Sequence, residues 1–200
     1  MVSTLELFGT FTSPYVRRTR VIAMELGLPL AMRDTATPEG QEALRAASPL
    51  WKVPALRVGD QVILDSDVIG KYLLRTHGPG PLAAHEPSNL EVENFIKVVD
   101  GALDSLINAF YLAKEGVTGE QAPYLAKQRA RAASALTWAD GKVGGSVLGG
   151  QFGLAAIGLA TALEWMVFRE AYPVADHPAL CSWLAAHAER PSLVATRPPQ

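Results

Sequence analysis

The chain has 200 residues, 48% of them apolar and 19% charged, and its 18 basic and 20 acidic side chains leave a formal charge of −2. That length holds one large domain or two small ones, and that composition excludes a wholly disordered chain. The near-neutral balance argues against nucleic-acid or anionic-membrane binding driven by overall charge.

The first 78 residues alternate strand-like and helix-like signals, the mark of a mixed α/β layer. Thr4–Phe8 reads as a short strand. Ser13-Pro14 then opens a helix, with Ser13 as N-cap and Pro14 at the first helical position, and Gly27 stops it. Leu30–Arg33 reads as a second strand and Glu39–Ala47 as a short helix. Two apolar runs, Ala55–Val58 and Gln61–Leu64, flank Gly59-Asp60 and predict a tight antiparallel hairpin. Asp65-Ser66 supplies caps for a helix from Asp67 to about Arg75. The predicted order βαβαββα is what a thioredoxin-like domain needs.

His77-Gly-Pro-Gly-Pro81 breaks both helix and strand and marks a linker, taken as residues 79–87. After it, residues 88–200 read as an all-helical bundle. Ser88 is the expected N-cap of a long helix through Lys114, with Glu91 completing a capping box. Glu120–Asp140 is the next helix. A glycine-rich loop containing Gly144, Gly145, Gly149 and Gly150 leads to an apolar helix from Leu154 to Phe168. Val143 to Leu163 carries no charge, yet those glycines and Glu164 favour a helix buried in a bundle over a membrane span. Asp176-His-Pro178 starts a last helix ending near Arg190-Pro191, and Thr196–Gln200 reads as an extended surface tail.

Cys181 is the single cysteine. It permits no intramolecular disulfide and no cysteine cluster for zinc or iron–sulfur, which fits a reducing, cytoplasmic setting. It falls within the last helix and is expected to be buried and inert. The first residues lack the basic and apolar regions of a signal peptide. His77, His85, His177 and His187 have no metal-ligand spacing and read as surface or linker residues. The glycine pairs follow no strand and make no dinucleotide or phosphate loop, so neither metal nor nucleotide is expected.

Three short motifs carry chemistry. In Ser13-Pro-Tyr-Val-Arg-Arg18 a hydroxyl stands at a helix N-terminus, where unpaired N–H groups and the helix dipole favour negative charge. A thiol bound there would ionise more readily, although Ser13 alone reads equally as a plain cap. In Trp51-Lys-Val-Pro-Ala-Leu56, Pro54 opens a strand after a β-branched residue. That is compatible with a cis bond and with an ordinary strand-edge proline. A Val53 backbone left unpaired could hold a peptide as an added strand. At Asp65-Ser66 a hydroxyl and free backbone N–H groups can hold a carboxylate while Asp65 pairs with an amine. By itself that pair is also a helix cap.

Taken together, in this order and spacing, the three motifs resemble the glutathione S-transferase family, closest to bacterial members that begin S-P-[FY]-V-R. The resemblance runs along essentially the whole chain, including Leu163-Glu-Trp-Met-Val-Phe168 and Pro191–Pro199. It implies a thioredoxin-like domain over 1–78 and a helical domain over 88–200. Ser13 would hydrogen-bond the sulfur of glutathione. Val53 would pair with the tripeptide backbone beside a cis Pro54, and Asp65 with Ser66 would take the γ-glutamyl end. Lys52 would lie near the glycine end, and Phe11 completes the implied glutathione set. Arg17 would be structural.

The implied activity is conjugation of the glutathione thiolate to a small apolar electrophile, by a homodimer. The competing readings are a non-catalytic glutathione-binding protein and a glutathione-dependent disulfide reductase. Phe11, Phe110, Tyr111 and Trp165 are core by default, with one or two lining an apolar pocket between the domains. Two departures from the family pattern stand out. Trp51 replaces a small residue, usually glycine, which would reshape the glycine end. Gly153-Leu-Ala-Ala156 lacks both side chains of a capping box, a loss of about 1 kcal/mol.

Overall fold

A computed structural model describes residues 5–148 and 150–199. The expectations for Thr4, Gly149 and Gln200 lie outside the described residues. The chain forms two compact units, one of residues 1–86, 151–157 and 189–200, the other of residues 87–150 and 158–188. These divisions differ from a single break at 79–87, because two later segments return to the first unit.

The first unit is built on a four-stranded sheet in the order β2-β1-β3-β4. Its strands are β1 (Leu5–Gly9), β2 (Leu30–Asp34), β3 (Ala55–Val58) and β4 (Gln61–Leu64). β1 runs parallel to β2 and antiparallel to β3, which pairs antiparallel with β4. As an inner strand β1 is covered on both faces, so Leu7 and Phe8 are both fully buried. Glu6 accepts from Arg33 on β2 and Arg57 on β3, each at 2.8 Å, which ties the three strands together at the rim.

Helix α1 (Pro14–Glu25) begins where the sequence places it, with the Val16 N–H donating to Ser13 Oγ at 3.3 Å. Its return against β1 requires Gly9, since a Cβ there would fall 2.3 Å from Val16 Cγ2. α2 (Pro38–Ala47) follows β2, and α3 (Ser66–His77) follows the hairpin. α3 starts one residue earlier than expected and runs two residues past Arg75, to the break at Gly78-Pro79.

The C-terminal segment corrects the sequence reading. An extended surface tail is expected from Thr196, yet Thr196 is buried and follows a short helix, α8 (Pro191–Ala195), that the sequence reading missed. Arg17 on α1 is only 1% exposed. It donates to the Leu193 carbonyl at 3.0 Å and to Thr196 Oγ1 at 3.3 Å. Arg20 donates to the Thr196 carbonyl at 3.3 Å. Glu25 accepts from Arg190 Nε at 2.6 Å and Nη2 at 2.7 Å, and also from the Ser192 hydroxyl. Polar partners from α1 hold this segment beside the fully buried Leu193, and such partners leave no periodic signal in the sequence.

Burial pushes the Glu25 carboxyl up, but the Arg190 and Ser192 hydrogen bonds and the Arg190 charge outweigh it and leave it below its usual value. A carboxylate lowered on folding contributes stability that is present above its unfolded pKa, about 4.3, and is lost as pH falls through the folded value. Glu25→Gln should therefore lower stability at pH 7 and narrow the gap to wild type on acidification below about 4. Denaturant midpoints across that range measure it, and parallel curves would remove Glu25 from the acid response.

In the second unit α4 (Leu90–Lys114) packs along α5 (Pro123–Asp140), followed by α6 (Leu154–Phe168, in this unit from Gly158) and α7 (Pro178–His187). Phe95, Val99, Leu103 and Leu106 of α4 are buried, as are Leu125, Ala132 and Leu136 of α5. The Leu180 N–H donates to Asp140 Oδ1 at 2.9 Å, fastening the start of α7 to the end of α5.

Two helix starts differ from expectation. Asn89, not Ser88, caps α4, its Oδ1 accepting from the Val92 N–H at 3.2 Å, and Glu91 instead accepts from Ser146 at 3.0 Å. α5 begins at Pro123 instead of Glu120, because proline holds the preceding Ala122 extended (φ −134°, ψ 93°). α6 has the predicted bounds, and no helix among the described residues is long and apolar enough to cross a membrane. Gly153, noted as a missing cap, lies where a Cβ would come within 2.9 Å of the Ala83 Cβ.

Side-chain burial brings further corrections. Tyr111 is 61% exposed and is not core, while Trp165 is buried with the half-buried Phe110 against its ring, centroids 5.7 Å apart. His177 is buried, not a surface residue, with its Nε2 2.9 Å from the Tyr172 hydroxyl. Cys181 is half-buried; it lines an open hollow of about 730 Å³ with Glu164, Tyr172 and Leu184.

Candidate active site

The strand register gathers the three motifs. Phe8 lies opposite Ala55, and Ala55 opposite Leu64. The residues after β1, before β3 and after β4 therefore leave the sheet at one end. Those segments are residues 10–13, 52–54 and 65–66. Residues far apart in sequence come together because two antiparallel pairings place two strand ends and one strand start at the same edge.

Ser13 stands at the first of these positions. Its N–H donates to the Thr10 carbonyl at 3.3 Å, closing the turn that leads into α1. Its hydroxyl oxygen accepts from the Val16 N–H, so its own proton is free to point outward from the helix N-terminus. Phe11 in the same turn is half-buried beneath the Arg20 guanidinium, 4.9 Å from the ring centroid.

At the second position the Val53–Pro54 bond is cis, and Val53 packs beside Phe8, Leu44 and Ala55. Lys52 is exposed. Trp51 has φ 53°, in the left-handed region where glycine is at ease, and is 64% exposed. The Arg45 guanidinium lies 5.3 Å from its ring. A small residue would fit that backbone better, so the tryptophan sits there at a conformational cost of about 1–2 kcal/mol.

At the third position Asp65 has φ 76° and caps α3. Its Oδ1 accepts from the Asp67 N–H at 2.8 Å and the Val68 N–H at 3.4 Å. The carboxylate expected to meet an amine thus also serves the helix through Oδ1. Ser66 is buried, and its Oγ accepts from Arg18 Nη1 at 3.3 Å.

Sequence reasoning missed Arg18. It lies next to Arg17 on α1, and successive helical residues point about 100° apart, as 3.6 residues per turn requires. One guanidinium therefore reaches α8 and the other α3. The Arg17-Arg18 pair at a helix start was the available signal; which arginine faces which neighbour was not.

Comparison with known proteins identifies two domain models along the chain. Residues 7–81 match the model of the glutathione S-transferase N-terminal domain, and residues 122–186 that of the C-terminal domain. A glutathione transferase family member from Pseudomonas fluorescens Pf-5, solved with bound glutathione, is 30% identical. It matches over 98% of this chain and 100% of its own, with a TM-score of 0.82. The chain belongs to the glutathione S-transferase family.

A glutathione S-transferase from Methylobacillus flagellatus KT, solved with glutathione bound, is 25% identical over 98% of this chain and 100% of its own, with a TM-score of 0.84. The uncharacterized GST-like protein YibF of Escherichia coli K12 is 25% identical over 98% of this chain and all of its own length. The fold is accordingly that of a glutathione S-transferase, a thioredoxin-like unit and a helical unit. Among the described residues no cluster of His, Cys, Asp or Glu could hold a metal ion.

Proposed function

We propose that this family member is a glutathione transferase that conjugates the glutathione thiolate to a small apolar electrophile. The observation that carries this reading is the gathering of Ser13, Val53–Pro54 and Asp65–Ser66 at one end of the sheet, with Ser13 at the start of α1. Glutathione in two similar solved structures supports it.

In this mechanism the bound thiol lies against the α1 N-terminus, with the Ser13 hydroxyl donating to the sulfur. Donation from a hydroxyl and the helix dipole both favour the thiolate, so the thiol ionises near neutrality instead of at about 8.5. The thiolate then attacks an electrophilic carbon and the leaving group departs. Val53 pairs with the tripeptide backbone, Ser66 receives the γ-glutamyl carboxylate, and Asp65 Oδ2 meets the ammonium. Phe11 and Lys52 complete the surroundings, with Lys52 toward the glycine end. The protein acts as a homodimer in the cytoplasm, the compartment that a chain with one cysteine fits.

Steady-state conjugation of a reactive aryl halide tests the reading. Turnover dependent on glutathione is expected, whereas calorimetric binding of glutathione without turnover would make this a non-catalytic binding protein. The disulfide-reductase alternative lacks a cysteine at the α1 cap, where the residue is Ser13.

The Asp65 assignment is separable from its capping role. Alanine would remove both the cap and the ligand contact, but asparagine is as good an N-cap as aspartate. Asp65→Asn should therefore keep α3 intact and weaken glutathione by about 1 kcal/mol, roughly fivefold, the upper end for an exposed ion pair. Titration calorimetry showing equal affinity in the variant would take Asp65 out of the site.

A further inference from the structure

Arg18 is 3% exposed, and its Nη1 lies 3.3 Å from Ser66 Oγ. Its guanidinium carbon also lies 5.6 Å from the centroid of the Tyr15 ring on the same helix. A guanidinium only donates and stays charged at every working pH. A serine hydroxyl has two lone pairs and one proton. Once a lone pair accepts from Arg18, the proton is turned away from that cation. It is then available to an anion placed at the α3 N-terminus, where Ser66 is the first helical residue.

We infer that Arg18 is a positioning residue that holds the Ser66 hydroxyl as a donor to the glutamyl α-carboxylate of glutathione. The inference rests on the glutathione-binding reading above and adds to it a residue that touches no substrate. It places on one helix, α1, both the group that faces the thiol and the group that sets the orientation of the carboxylate donor. Arg18 thus governs affinity and selection for the free amino-acid end, leaving thiol ionisation to Ser13.

Titration calorimetry on the full-length protein tests this with two ligands, glutathione and the analogue whose glutamyl residue lacks the α-carboxylate. Arg18→Gln should weaken glutathione about tenfold, the loss of one charge-assisted hydrogen bond, and leave the analogue within about twofold. In a Ser66→Ala background the same substitution should change glutathione affinity by less than about twofold, since coupled residues are not additive. If Arg18→Gln does not fold, Arg18→Lys carries the same cycle with an expected loss of about threefold, a point charge replacing the planar fork. Equal losses for both ligands, or additive losses with Ser66→Ala, would overturn the inference by showing that Arg18 only supports the fold. Absence of glutathione binding by the wild type would instead overturn the functional reading, and the inference with it, before any variant is compared.

Discussion

Ser13→Ala leaves glutathione affinity nearly unchanged and slows conjugation of a reactive aryl halide about 10- to 150-fold, the kinetic equivalent of one lost charge-assisted hydrogen bond. The substitution removes a hydroxyl from the α1 cap, whose oxygen accepts only a 3.3 Å bond from Val16. The contacts assigned to Val53, Asp65 and Ser66 stay in place, so ground-state binding is spared. The thiol bound beside the helix loses its donor, and its pKa moves up toward that of a free thiol. Ultraviolet absorbance of the bound thiolate against pH, in wild type and variant, reads this directly. Superimposable curves would reduce Ser13 to a helix cap and shift activation to backbone N–H groups or Thr12.

A second large effect is expected at Arg17, where the consequence is stability. Arg17→Met replaces a fully buried guanidinium by an apolar chain, breaking its bonds to the Leu193 carbonyl and Thr196 Oγ1. Breaking a buried polar network and stranding its acceptors costs about 2–4 kcal/mol. At this chain length each kcal/mol moves the melting temperature by about 2–4 °C, so the fall should be roughly 5–15 °C. Arg20→Met, which loses one 3.3 Å bond from a half-buried side chain, should move it far less. Thermal unfolding followed by circular dichroism separates the two. An Arg17→Met melt equal to wild type would mean that α8 is held by apolar contacts, chiefly the fully buried Leu193.

These two arginines, with Arg18 between them, mark where sequence reading stops. All three lie on a helix whose start the Ser13-Pro14 pair made legible. Nothing local distinguishes the arginine that reaches α8 from the one that reaches Ser66, because the distinction depends on what packs around α1.

The sequence by itself determined the elements whose signals are local. The hairpin strands Ala55–Val58 and Gln61–Leu64 and the buried helix Leu154–Phe168 have the bounds that two apolar runs flanking Gly59-Asp60 and a largely apolar run broken only by Glu164 predict. The motif residues were legible too, because a hydroxyl before a proline and an Asp-Ser pair after a strand carry their capping chemistry with them. Only the tertiary structure decided the remainder. Pairing Phe8 with Ala55 and Ala55 with Leu64 carried three separated segments to one end of the sheet. Buried polar bonds from α1 folded Pro191–Ala195 back as a helix and buried Thr196, and Tyr172 received His177. Propensity and periodicity report what a segment does with its own neighbours. Register and buried hydrogen bonds depend on groups brought together from far along the chain, whose positions are set only when the whole sheet and its helices close.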